Sequence, residues 1–441
     1  MQGQQHGGSS GYIITFSHLN SVNMYGEIIT IGDELISGRT LDLNARYAAG
    51  RLTASGLRVS RITSVGDDRI MVSRTLSKAL ESSRFVIITG GLGPTDDDMT
   101  NEIVAAALNR SLCLDRQMLD RIKRHIEAKG IELTPSIEKM AWLPEGSRII
   151  NPDGAMCGCC IIEQGVRLYF LPGIPDQMRM LLDNFVLPEI LSLYEAVPSV
   201  GQNILKLYGV KEHQIAETIK AIRSETGDVV LGFYPHFPEN HITLSLSGAD
   251  EPAVVSEIQR VENLIRRLLD PFIFASGNQD MEEAIGRQLI DKSLTISVAE
   301  SCTGGLIGHR LTNVPGSSAY FKGGVVTYSN QSKMDLIDVK EETLETYGAV
   351  SDQTVREMAQ GLRKYFNTDL TLAVTGIAGP DGGGPEKPVG TVYIGLSAGN
   401  QIFSERYRFW GDRGQIKLEI STMALDWVRR YINGDPFIPG V

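Results

Sequence analysis

The sequence predicts a multidomain α/β protein, and three observations lead to that fold class. The chain has 441 residues, which is too long for one ordinary domain and indicates two or three. Hydrophobic residues make up 42% and charged residues 22% of the chain, as in globular proteins with an apolar core. Short β-branched runs alternate with stretches of helical spacing in both the first and the last third of the chain.

In the first third, strand and helix patterns follow each other in a regular order, which predicts a doubly wound parallel sheet with helices on both faces. The predicted strands are YGEIITIG (25–32), LRVSRITSVG (57–66), RFVIITGG (84–91) and VRLYFLPG (166–173). The predicted helices are LDLNARYAAGRLTASG (41–56), DDRIMVSRTLSKALESS (67–83), DDDMTNEIVAAALNR (96–110) and PDQMRMLLDNFVLPEILSLY (175–194).

The composition shifts at EAVPSVGQN (195–203) and again at SGNQD (276–280), which indicates two domain boundaries. Between them we predict a small α+β unit, in which ITLSLS alternates as a half-exposed strand does. The last third returns to α/β. Its predicted strands are LTISVAE (294–300), FKGGVVTYSN (321–330), DLTLAVTG (369–376) and TVYIGLSA (391–398). The predicted domains are therefore 24–197, 198–275 and 281–441, preceded by a flexible extension at 1–23.

Composition and charge exclude several classes of protein. The net charge of −11 gives no electrostatic footprint for nucleic acid, and no run of 18 apolar residues indicates a membrane span. Residues 1–23 lack the basic start and apolar core of a signal peptide, so we expect a cytoplasmic protein. The five cysteines are unevenly spread. Cys157, Cys159 and Cys160 lack the second pair of ligands that a zinc site needs, and we interpret them as packed thiols in a loop.

The segment AESCTGG (299–305) places Ser301 and Cys302 at a predicted turn from strand to helix. Amides of Thr303, Gly304 and Gly305 at the start of a helix would be unpaired and could bind an oxyanion. The one histidine nearby, His309, lies two turns down the helix, so we expect a lysine base instead. Alternatively, Ser301 is only a helix N-cap, or Cys302 is the nucleophile.

Long motifs in the last third resemble the C-terminal domain of the CinA family, a nicotinamide-nucleotide amidase. They are AESCTGG, GSSAYFKGGVVTYSNQSK (316–333), GAVS (348–351) and AVTGIAGPDGGGPEKPVGTVYIGL (373–396). The resemblance implies that Ser301 is the nucleophile and Lys333 the base, with Tyr328 beside them. It implies no cofactor for this reaction. It also implies substrate contacts at Thr303, Gly304, Gly305, Ser318, Thr375, Gly376, Gly379 and Arg413.

Motifs in the first third, GDELISG (32–38), NARYAAGRL (44–52) and GGLGPTDDDMT (90–100), resemble the N-terminal domain of the same family. That domain is similar to the molybdopterin-binding fold and implies an ADP-ribose pyrophosphatase. We expect a divalent metal, such as Mg²⁺, at Asp97 and Asp98. The expected nucleotide site comprises Asp33, Glu34, Asn44, Gly90, Gly91, Gly93 and Thr95.

The chain departs from the family pattern at two places in the first third. The segment NPDGAMCGC (151–159) lacks a threonine and a proline of the family motif, and Gln177 stands where a glutamate is expected. The middle unit corresponds to a KH-like domain, in which we find no G-x-x-G loop, so we do not expect RNA binding.

Three functions remain open from the sequence. The first is a nicotinamide mononucleotide amidase, with ADP-ribose hydrolysis in the N-terminal domain. The second is a nucleotide-binding regulator without catalysis, and the third is a pterin-handling transferase built on the N-terminal domain. We expect small nucleotides as ligands, neither nucleic acid nor membrane as partner, and a homodimer.

Overall fold

The computed structural model of the chain describes residues 25–151 and 158–440. Contacts divide the chain into two compact units: one reaches Val200 and includes Ser247–Asp250, and the other comprises Gly201–Leu246 and the chain from Glu251 onward. Among the described residues, no helix is both long and apolar enough to cross a membrane. The predicted extension at 1–23 and Met24 lie outside the described residues.

The N-terminal domain follows the predicted alternation of strands and helices, with additional elements between residues 112 and 163. Its strands are β1 (Tyr25–Ile31), β2 (Arg58–Val65), β3 (Phe85–Thr89), β4 (Leu112–Leu114), β5 (Trp142–Pro144), β6 (Arg148–Ile149), β7 (Cys159–Glu163) and β8 (Val166–Leu171). Its helices are α1 (Asp33–Ile36), α2 (Leu43–Ala54), α3 (Arg69–Ser82), α4 (Thr100–Ala107), α5 (Arg116–Glu127), α6 (Pro135–Lys139), α7 (Pro175–Leu181), a π-helical turn (Leu182–Val186) and α8 (Leu187–Leu191). Aspartates at 42, 68 and 115 cap α2, α3 and α5 by accepting a backbone amide three residues on.

The main sheet of this domain has the order β2-β1-β3-β8-β7-β6 and is mixed. Strands β2, β1, β3 and β8 are parallel, as predicted, whereas β7 and β6 are antiparallel. The four predicted strands thus form the parallel part of the sheet, and the antiparallel pair β7 and β6 extends it at one edge. Gln164 and Gly165, with φ angles of 52° and 83°, form a tight turn that folds β7 back on β8. Cys159 and Cys160 consequently lie buried in β7, not in a loop.

The middle domain is an α+β sandwich with the sheet order β10-β11-β9-β12. Its elements are β9 (Ser199–Leu207), α9 (Glu212–Ile222), β10 (Val230–His236), β11 (Glu239–Gly248), α10 (Glu251–Leu269) and β12 (Ile273–Ser276). Ile242 and Leu244 of β11 face the buried core with α9 and α10, while the residues between them are partly exposed. The alternation in ITLSLS is confirmed.

The C-terminal domain has a five-stranded sheet in the order β14-β13-β15-β16-β17. Its helices are α11 (Met281–Asp291), α12 (Leu306–Thr312), α13 (Asn330–Ile337), α14 (Glu341–Tyr347), α15 (Asp352–Phe366) and α16 (Arg413–Asn433). Its strands are β13 (Ile296–Glu300), β14 (Phe321–Val326), β15 (Leu370–Gly376), β16 (Thr391–Ala398) and β17 (Gln401–Arg408). The first three strands are parallel, so their carboxyl ends meet at one edge, and β16 and β17 are antiparallel to their neighbours.

The middle domain has its own core but also contributes residues to the hydrophobic core of the C-terminal domain. Tyr208 and Phe274 of the middle domain are buried in the same cluster as residues of α11, β13 and α16. The segment that we predict as a linker is held in place, because the Gly277 amide donates to the Ile204 carbonyl at 2.8 Å. An ion pair of 2.7 Å joins Lys206 to Asp280. These two domains therefore form a single packed unit, which local sequence patterns do not indicate.

Candidate functional site

Ser301 directly follows β13, at the edge where the parallel strands of the C-terminal sheet end. Its amide donates to the Val374 carbonyl of β15 at 3.1 Å, which fixes the start of the turn. Gly304 and Gly305 continue the turn with φ angles of 63° and 96°, in the left-handed region that favours glycine. Helix α12 begins only at Leu306 with Gly305 as its N-cap, so Ser301 is not the N-cap of this helix.

The carboxylate of Glu300 lies beneath this turn and is only 1% exposed. Each oxygen accepts hydrogen bonds from groups that would otherwise be left unpaired at the start of α12. The donors are Thr303 Oγ1 at 2.7 Å, the Gly305 amide at 3.0 Å, the Ile307 amide at 3.1 Å and the Gly308 amide at 2.8 Å. Glu300 thus caps the helix and holds the Ser301 turn in its shape.

These bonds correct the prediction of free amides. The Gly305 amide is taken by Glu300, and the Gly304 amide donates to the Ser301 carbonyl at 3.2 Å. The side chain of Thr303 is buried against Glu300. The glycine pair therefore shapes the turn, and its two amides do not point outward as an oxyanion site.

Lys333 lies next to Ser301, as the motif resemblance implies. Helix α13 carries this lysine inward, and Ser329 caps the helix by accepting the Ser332 amide at 3.1 Å. Lys333 Nζ is 3.1 Å from Ser301 Oγ and donates to the Thr327 carbonyl at 2.7 Å. Lys333 is 1% exposed and Ser301 8%. Burial disfavours the charged amine and lowers the pKa of Lys333 to about 8.

Cys302, the neighbouring candidate nucleophile, is only 4% exposed, and the charge of Lys333 acts on its thiol. Its side chain is buried in the hydrophobic core of the domain. Burial raises the pKa of the Cys302 thiol to about 12, so the thiol keeps its proton near neutral pH. Of the two side chains, only Ser301 is hydrogen-bonded to the Lys333 amine within the described part of the chain.

Tyr328 and Arg413 form a bridge at the outer side of the same edge. Arg413 Nη2 donates to the Tyr328 hydroxyl at 2.9 Å, and Nη1 donates to the Gly379 carbonyl at 2.5 Å. Tyr328 is 61% exposed, and its hydrogen bond is to Arg413 rather than to Ser301 or Lys333. This position fits a substrate contact better than a proton transfer with the buried pair.

Thr375 and Gly376 end β15, next to the end of β13. The Thr375 hydroxyl donates to the Ala349 carbonyl at 2.7 Å and is thereby tied to the protein. A Cβ atom at Gly376 would come within 2.6 Å of the Val392 side chain on β16, so glycine is required here for packing. Both residues border the site, and their described contacts support the sheet edge.

Ser318 is the predicted site residue that the structure does not bring to Ser301. It lies in a short 3-10 turn (Ser317–Ala319) that precedes β14. In the parallel register, Phe321 at the start of β14 faces Ile296, whereas Val326 at its end faces Glu300. Ser318 therefore lies at the amino edge of the sheet, separated from Ser301 by roughly 15 Å of strand.

Two residues at this site are absent from the sequence-based prediction. The first is Glu300, which directly precedes Ser301. An acidic residue shortly before a glycine pair is a sequence signal for a capped turn, and it could have identified Glu300. Lys417 lies one helical turn after Arg413 on α16. A Cβ atom built on Gly304 would be 3.7 Å from Lys417 Nζ, which places this amine beside the turn.

The N-terminal domain contains a cavity of about 810 Å³ at the carboxyl edge of its parallel strands. Asn44 Nδ2 donates to the Gly173 carbonyl at 2.7 Å, and its Oδ1 has no hydrogen-bond partner within the described part of the chain. Asp33 and Thr95, also predicted for this site, are not among the lining residues. The predicted residues that line the cavity are Glu34, Asn44, Gly90, Gly91, Gly93, Asp97 and Asp98.

The predicted metal ligands are engaged with Thr95. The Thr95 hydroxyl donates to Asp97 and, at 2.6 Å, to Asp98 Oδ2, while the Thr95 amide donates to Asp98 at 3.0 Å. Residues 25–151 and 158–440 contain no group of three or more His, Cys, Asp or Glu placed to hold a metal ion. The described side chains near Asp97 and Asp98 therefore do not form a metal centre by themselves.

One of the two departures from the family pattern, Gln177, falls at this cavity. Gln177 lines it, together with Gly158 and Cys159. Residues 152–157, which include most of the altered segment and Cys157, lie outside the described residues. Burial raises the pKa of the Cys159 thiol to about 12 and that of Cys160 to about 11, consistent with packed thiols.

Family models match three consecutive parts of the chain. The model for the probable molybdopterin binding domain matches residues 27–192, and the KH domain of damage-inducible protein CinA matches 202–275. The CinA C-terminal domain matches residues 278–432. A CinA-like protein of Geotalea uraniireducens is 39% identical over 403 residues, which cover 91% of this chain and 96% of that protein. The chain belongs to the CinA family.

Other CinA relatives are similar to this chain over comparable or shorter lengths. A putative competence-damage inducible protein of Acetivibrio thermocellus is 40% identical over 93% of this chain and 99% of its own length. Among solved structures, a competence/damage inducible protein of Agrobacterium tumefaciens is 41% identical and covers 35% of this chain and 97% of that one, with a TM-score of 0.34. The CinA protein of Thermoplasma acidophilum is 37% identical over 38% of this chain and 99% of that one, with a TM-score of 0.36. The three-domain α/β organisation predicted from the sequence is confirmed.

Proposed function

We propose that the C-terminal domain hydrolyses the carboxamide of nicotinamide mononucleotide to nicotinic acid mononucleotide and ammonia. The observation that carries this proposal is the buried pair in which Lys333 Nζ lies 3.1 Å from Ser301 Oγ. A serine attacks a carbonyl carbon only when a base within hydrogen-bond reach removes its proton, and a lysine kept neutral by burial is such a base. The substrate class follows from the motif resemblance, and the site at the sheet edge is compatible with it.

The reaction balances with these two side chains. Neutral Lys333 Nζ takes the proton of the Ser301 hydroxyl while Oγ bonds to the carboxamide carbon. The ammonium form of Lys333 then returns that proton to the leaving nitrogen, and ammonia departs from an ester on Ser301. Water next gives a proton to Lys333 and attacks the ester carbon. The bond from that carbon to Ser301 Oγ then breaks, Lys333 returns the proton to Oγ, and the acid leaves.

The test is ammonia release from nicotinamide mononucleotide by the purified full chain. Ser301→Ala should lower the rate by roughly 10³-fold or more, because no other hydroxyl takes its place. Cys302→Ala is the matched control and should keep turnover. Loss of activity in Cys302→Ala with full activity in Ser301→Ala would show that the neighbouring residue is the nucleophile.

The same assay separates catalysis from regulation. A folded wild-type chain that binds the nucleotide but releases no ammonia would support a nucleotide-binding regulator. The Ser301 pocket would then be a binding site whose chemistry is lost.

For the N-terminal domain we propose hydrolysis of ADP-ribose to AMP and ribose 5-phosphate. The cavity of about 810 Å³, with six glycines and the unpartnered Asn44 Oδ1 on its wall, supports a nucleotide ligand. AMP release from ADP-ribose with added Mg²⁺ tests this activity and also tests the expected metal requirement. Stronger protection against heat by pterin than by ADP-ribose would favour the pterin-handling alternative.

The homodimer also belongs to this proposal, because most soluble oligomers are symmetric dimers. Light scattering coupled to size-exclusion chromatography of the full chain measures the mass directly. A mass close to the 48.3 kDa of one chain would contradict it.

A further inference from the structure

Thr327, the residue that directly follows β14, carries a buried hydroxyl without a hydrogen-bond partner. The residue is 0% exposed, and within the described part of the chain no group donates to or accepts from its Oγ1. Its backbone, in contrast, is engaged on both sides. The amide donates to the Glu300 carbonyl at 2.8 Å, and the carbonyl accepts from Lys333 Nζ at 2.7 Å. Buried hydroxyls in proteins nearly always have a partner, so this one requires an explanation.

The Thr327 side chain belongs to the face of the sheet on which Lys333 lies. Side chains alternate along a strand, which puts residue 327 on the same face as Val325. Val325 packs against a cluster formed by α13 and α15, and α13 is the helix that carries Lys333. Rotation about χ1 moves Thr327 Oγ1 among three staggered positions, while the carbonyl of the same residue already contacts Nζ.

The Lys333 amine has two hydrogen-bond partners among the described residues, Ser301 Oγ and the Thr327 carbonyl. The neutral amine has one lone pair, with which it accepts from the Ser301 hydroxyl while it donates to Thr327. The ammonium form has three N–H donors and no acceptor. One donor faces Ser301 and one faces the Thr327 carbonyl, so the third requires a further acceptor, because an unpaired donor on a buried charge is costly.

We propose that the Thr327 hydroxyl is this third acceptor and thereby positions Lys333 and adjusts its basicity. The inference rests on the proposed amidase function of the same site. The Ser301 proton moves to Nζ while Oγ bonds to the carboxamide carbon, and Thr327 Oγ1 then accepts one N–H of the ammonium group. Nζ later returns a proton to the leaving nitrogen and that bond is released. Thr327 neither gains nor loses a proton in this cycle, so it is a positioning residue.

The groups that approach the amine from β13 and from the outer edge do not replace this acceptor. The Cys302 thiol acts on Lys333 only through its charge, and burial keeps it protonated near neutral pH. The Glu300 carboxylate accepts from the start of α12. Tyr328 at the outer side is exposed and is bonded to Arg413.

The helices around the amine do not supply an anion to it. On α13 itself, Asp335 is exposed, and on α15 the Glu357 carboxylate accepts from Thr343 at 2.8 Å. The side chains of α15 in the cluster with α13 are apolar, namely Val355, Met358, Ala359 and Leu362. No carboxylate among the described residues is bonded to Lys333 Nζ, so its ammonium form depends on neutral acceptors.

The experiment compares the wild type with three variants of the full chain. Thr327→Val replaces the hydroxyl with a methyl group of similar shape, and Thr327→Ser keeps the hydroxyl. The matched control is Thr371→Val, because Thr371 is equally buried and its hydroxyl is paired with Ser297 at 2.8 Å. Thr371 faces Ser297 in the register of β13 and β15, four residues or roughly 13 Å along the strand from Ser301.

Two measurements are made on each protein. The first is kcat/KM for nicotinamide mononucleotide between pH 6 and pH 10, which reports the pKa of the base in the free enzyme. The second is an NMR titration of the lysine ε-carbons in protein labelled with ¹³C-lysine. The Lys333 signal is the one that is missing in Lys333→Met, and its titration does not require turnover.

We expect Thr327→Val to lower the pKa of Lys333 by roughly one unit relative to the wild type in both measurements, because the ammonium form loses an acceptor. The rate on the plateau above the midpoint should fall by roughly threefold to tenfold, since a weaker base accepts the serine proton less readily. Thr327→Ser should restore the wild-type midpoint. Thr371→Val should lower stability without moving the midpoint.

An unchanged Lys333 pKa in Thr327→Val would overturn the inference. It would also be overturned if Thr327→Ser behaved like Thr327→Val, because the shape of the side chain rather than its hydroxyl would then matter. A midpoint that moves equally in Thr371→Val would show a general effect of lost buried hydroxyls. If Thr327→Val does not fold, Thr327→Ala removes the same hydroxyl with a smaller side chain and is measured in its place.

The two proposals fail separately. If the wild type releases no ammonia but the NMR titration shows the shift in Thr327→Val, the role of Thr327 stands and the amidase proposal fails. If the wild type turns over and Lys333 titrates identically in both proteins, the amidase proposal stands and the role of Thr327 fails.

Discussion

At the scale of single residues, Lys333 determines what Ser301 can do. A lysine that faces water is protonated at neutral pH and cannot accept a proton. Here the amine is buried between Ser301 and the Thr327 carbonyl, and burial lowers the pKa of Lys333 from 10.5 to about 8. A substantial neutral fraction is therefore present slightly above neutral pH.

This pKa predicts the pH dependence of the proposed reaction. Because the base must be neutral, kcat/KM should rise with pH through a midpoint near 8 and then level off. The measurement is the rate of ammonia release between pH 6 and pH 10 in buffers of constant ionic strength. A rate that is still rising at pH 10 without levelling off would point to a group of higher pKa, such as the Cys302 thiol.

The same burial predicts a pH-dependent stability. The pKa of Lys333 is lower in the folded than in the unfolded chain, so between pH 8 and 10.5 the unfolded chain binds more protons. The free energy of unfolding of the wild type should rise with pH across this window, relative to Lys333→Met. The variant should be more stable at pH 7 by up to about 3 kcal/mol, a gain that disappears near pH 10.5.

Urea unfolding of both proteins at pH 7 and pH 10.5 checks this prediction. The quantity to compare is the difference in free energy of unfolding between the wild type and Lys333→Met, because other groups also titrate in this pH range. An unchanged difference at the two pH values would mean that Lys333 is not desolvated in the folded protein.

At the scale of an element, Glu300 organises the turn from β13 to α12. One carboxylate satisfies three backbone amides and a hydroxyl, which would otherwise be buried without acceptors. Its role is to position Ser301, since no described contact joins Glu300 to the Ser301 hydroxyl. The turn can therefore be disturbed without removing the nucleophile or the base.

Glu300→Gln tests this role. The amide side chain offers one acceptor oxygen and places a donor against backbone donors, so the free energy of unfolding should fall by about 2–4 kcal/mol. We expect kcat to fall as well, because the Ser301 turn loses its support. Denaturant unfolding and ammonia release measure the two effects, and Glu345→Gln on the exposed face of α14 is the control. Normal stability in Glu300→Gln would contradict the capping role.

At the scale of the whole molecule, the middle domain inserts part of its sheet end into the C-terminal core. Tyr208 is buried in that core, and its hydroxyl donates to Glu419 of α16, the helix that begins with Arg413 at the site. Burial raises the pKa of Glu419, and the hydrogen bond from Tyr208 partly opposes this shift. The two domains should therefore unfold together.

Tyr208→Ala tests this coupling. Removing a buried aromatic side chain should lower the free energy of unfolding of both domains by about 3–5 kcal/mol. Calorimetry of a chain starting at Gly201 should show one transition that moves to lower temperature, and Tyr234→Ala on β10, an exposed position, should leave it in place. Two separate transitions in the calorimetry of Tyr208→Ala, of which only one moves to lower temperature, would contradict this coupling of the two domains.

The sequence by itself determined the features that depend on neighbouring residues. Glycines and β-branched runs define the strands that end at Thr89, Glu300 and Gly376, because backbone preference and periodicity are local properties. The same local patterns also indicate the three-domain organisation. The pairing of Ser301 with Lys333 came from the resemblance of long motifs rather than from spacing.

The tertiary structure decided the features that depend on residues far apart in the chain. Strand direction at β7 and β16, the position of Ser318 at the opposite edge and the shared core around Tyr208 all follow from contacts that no local pattern contains. The use of the glycine amides by Glu300 and the approach of Lys417 to Gly304 depend on where side chains point. Side-chain direction is fixed only when the elements pack, and for that reason the turn could be predicted from the sequence but its hydrogen bonds could not.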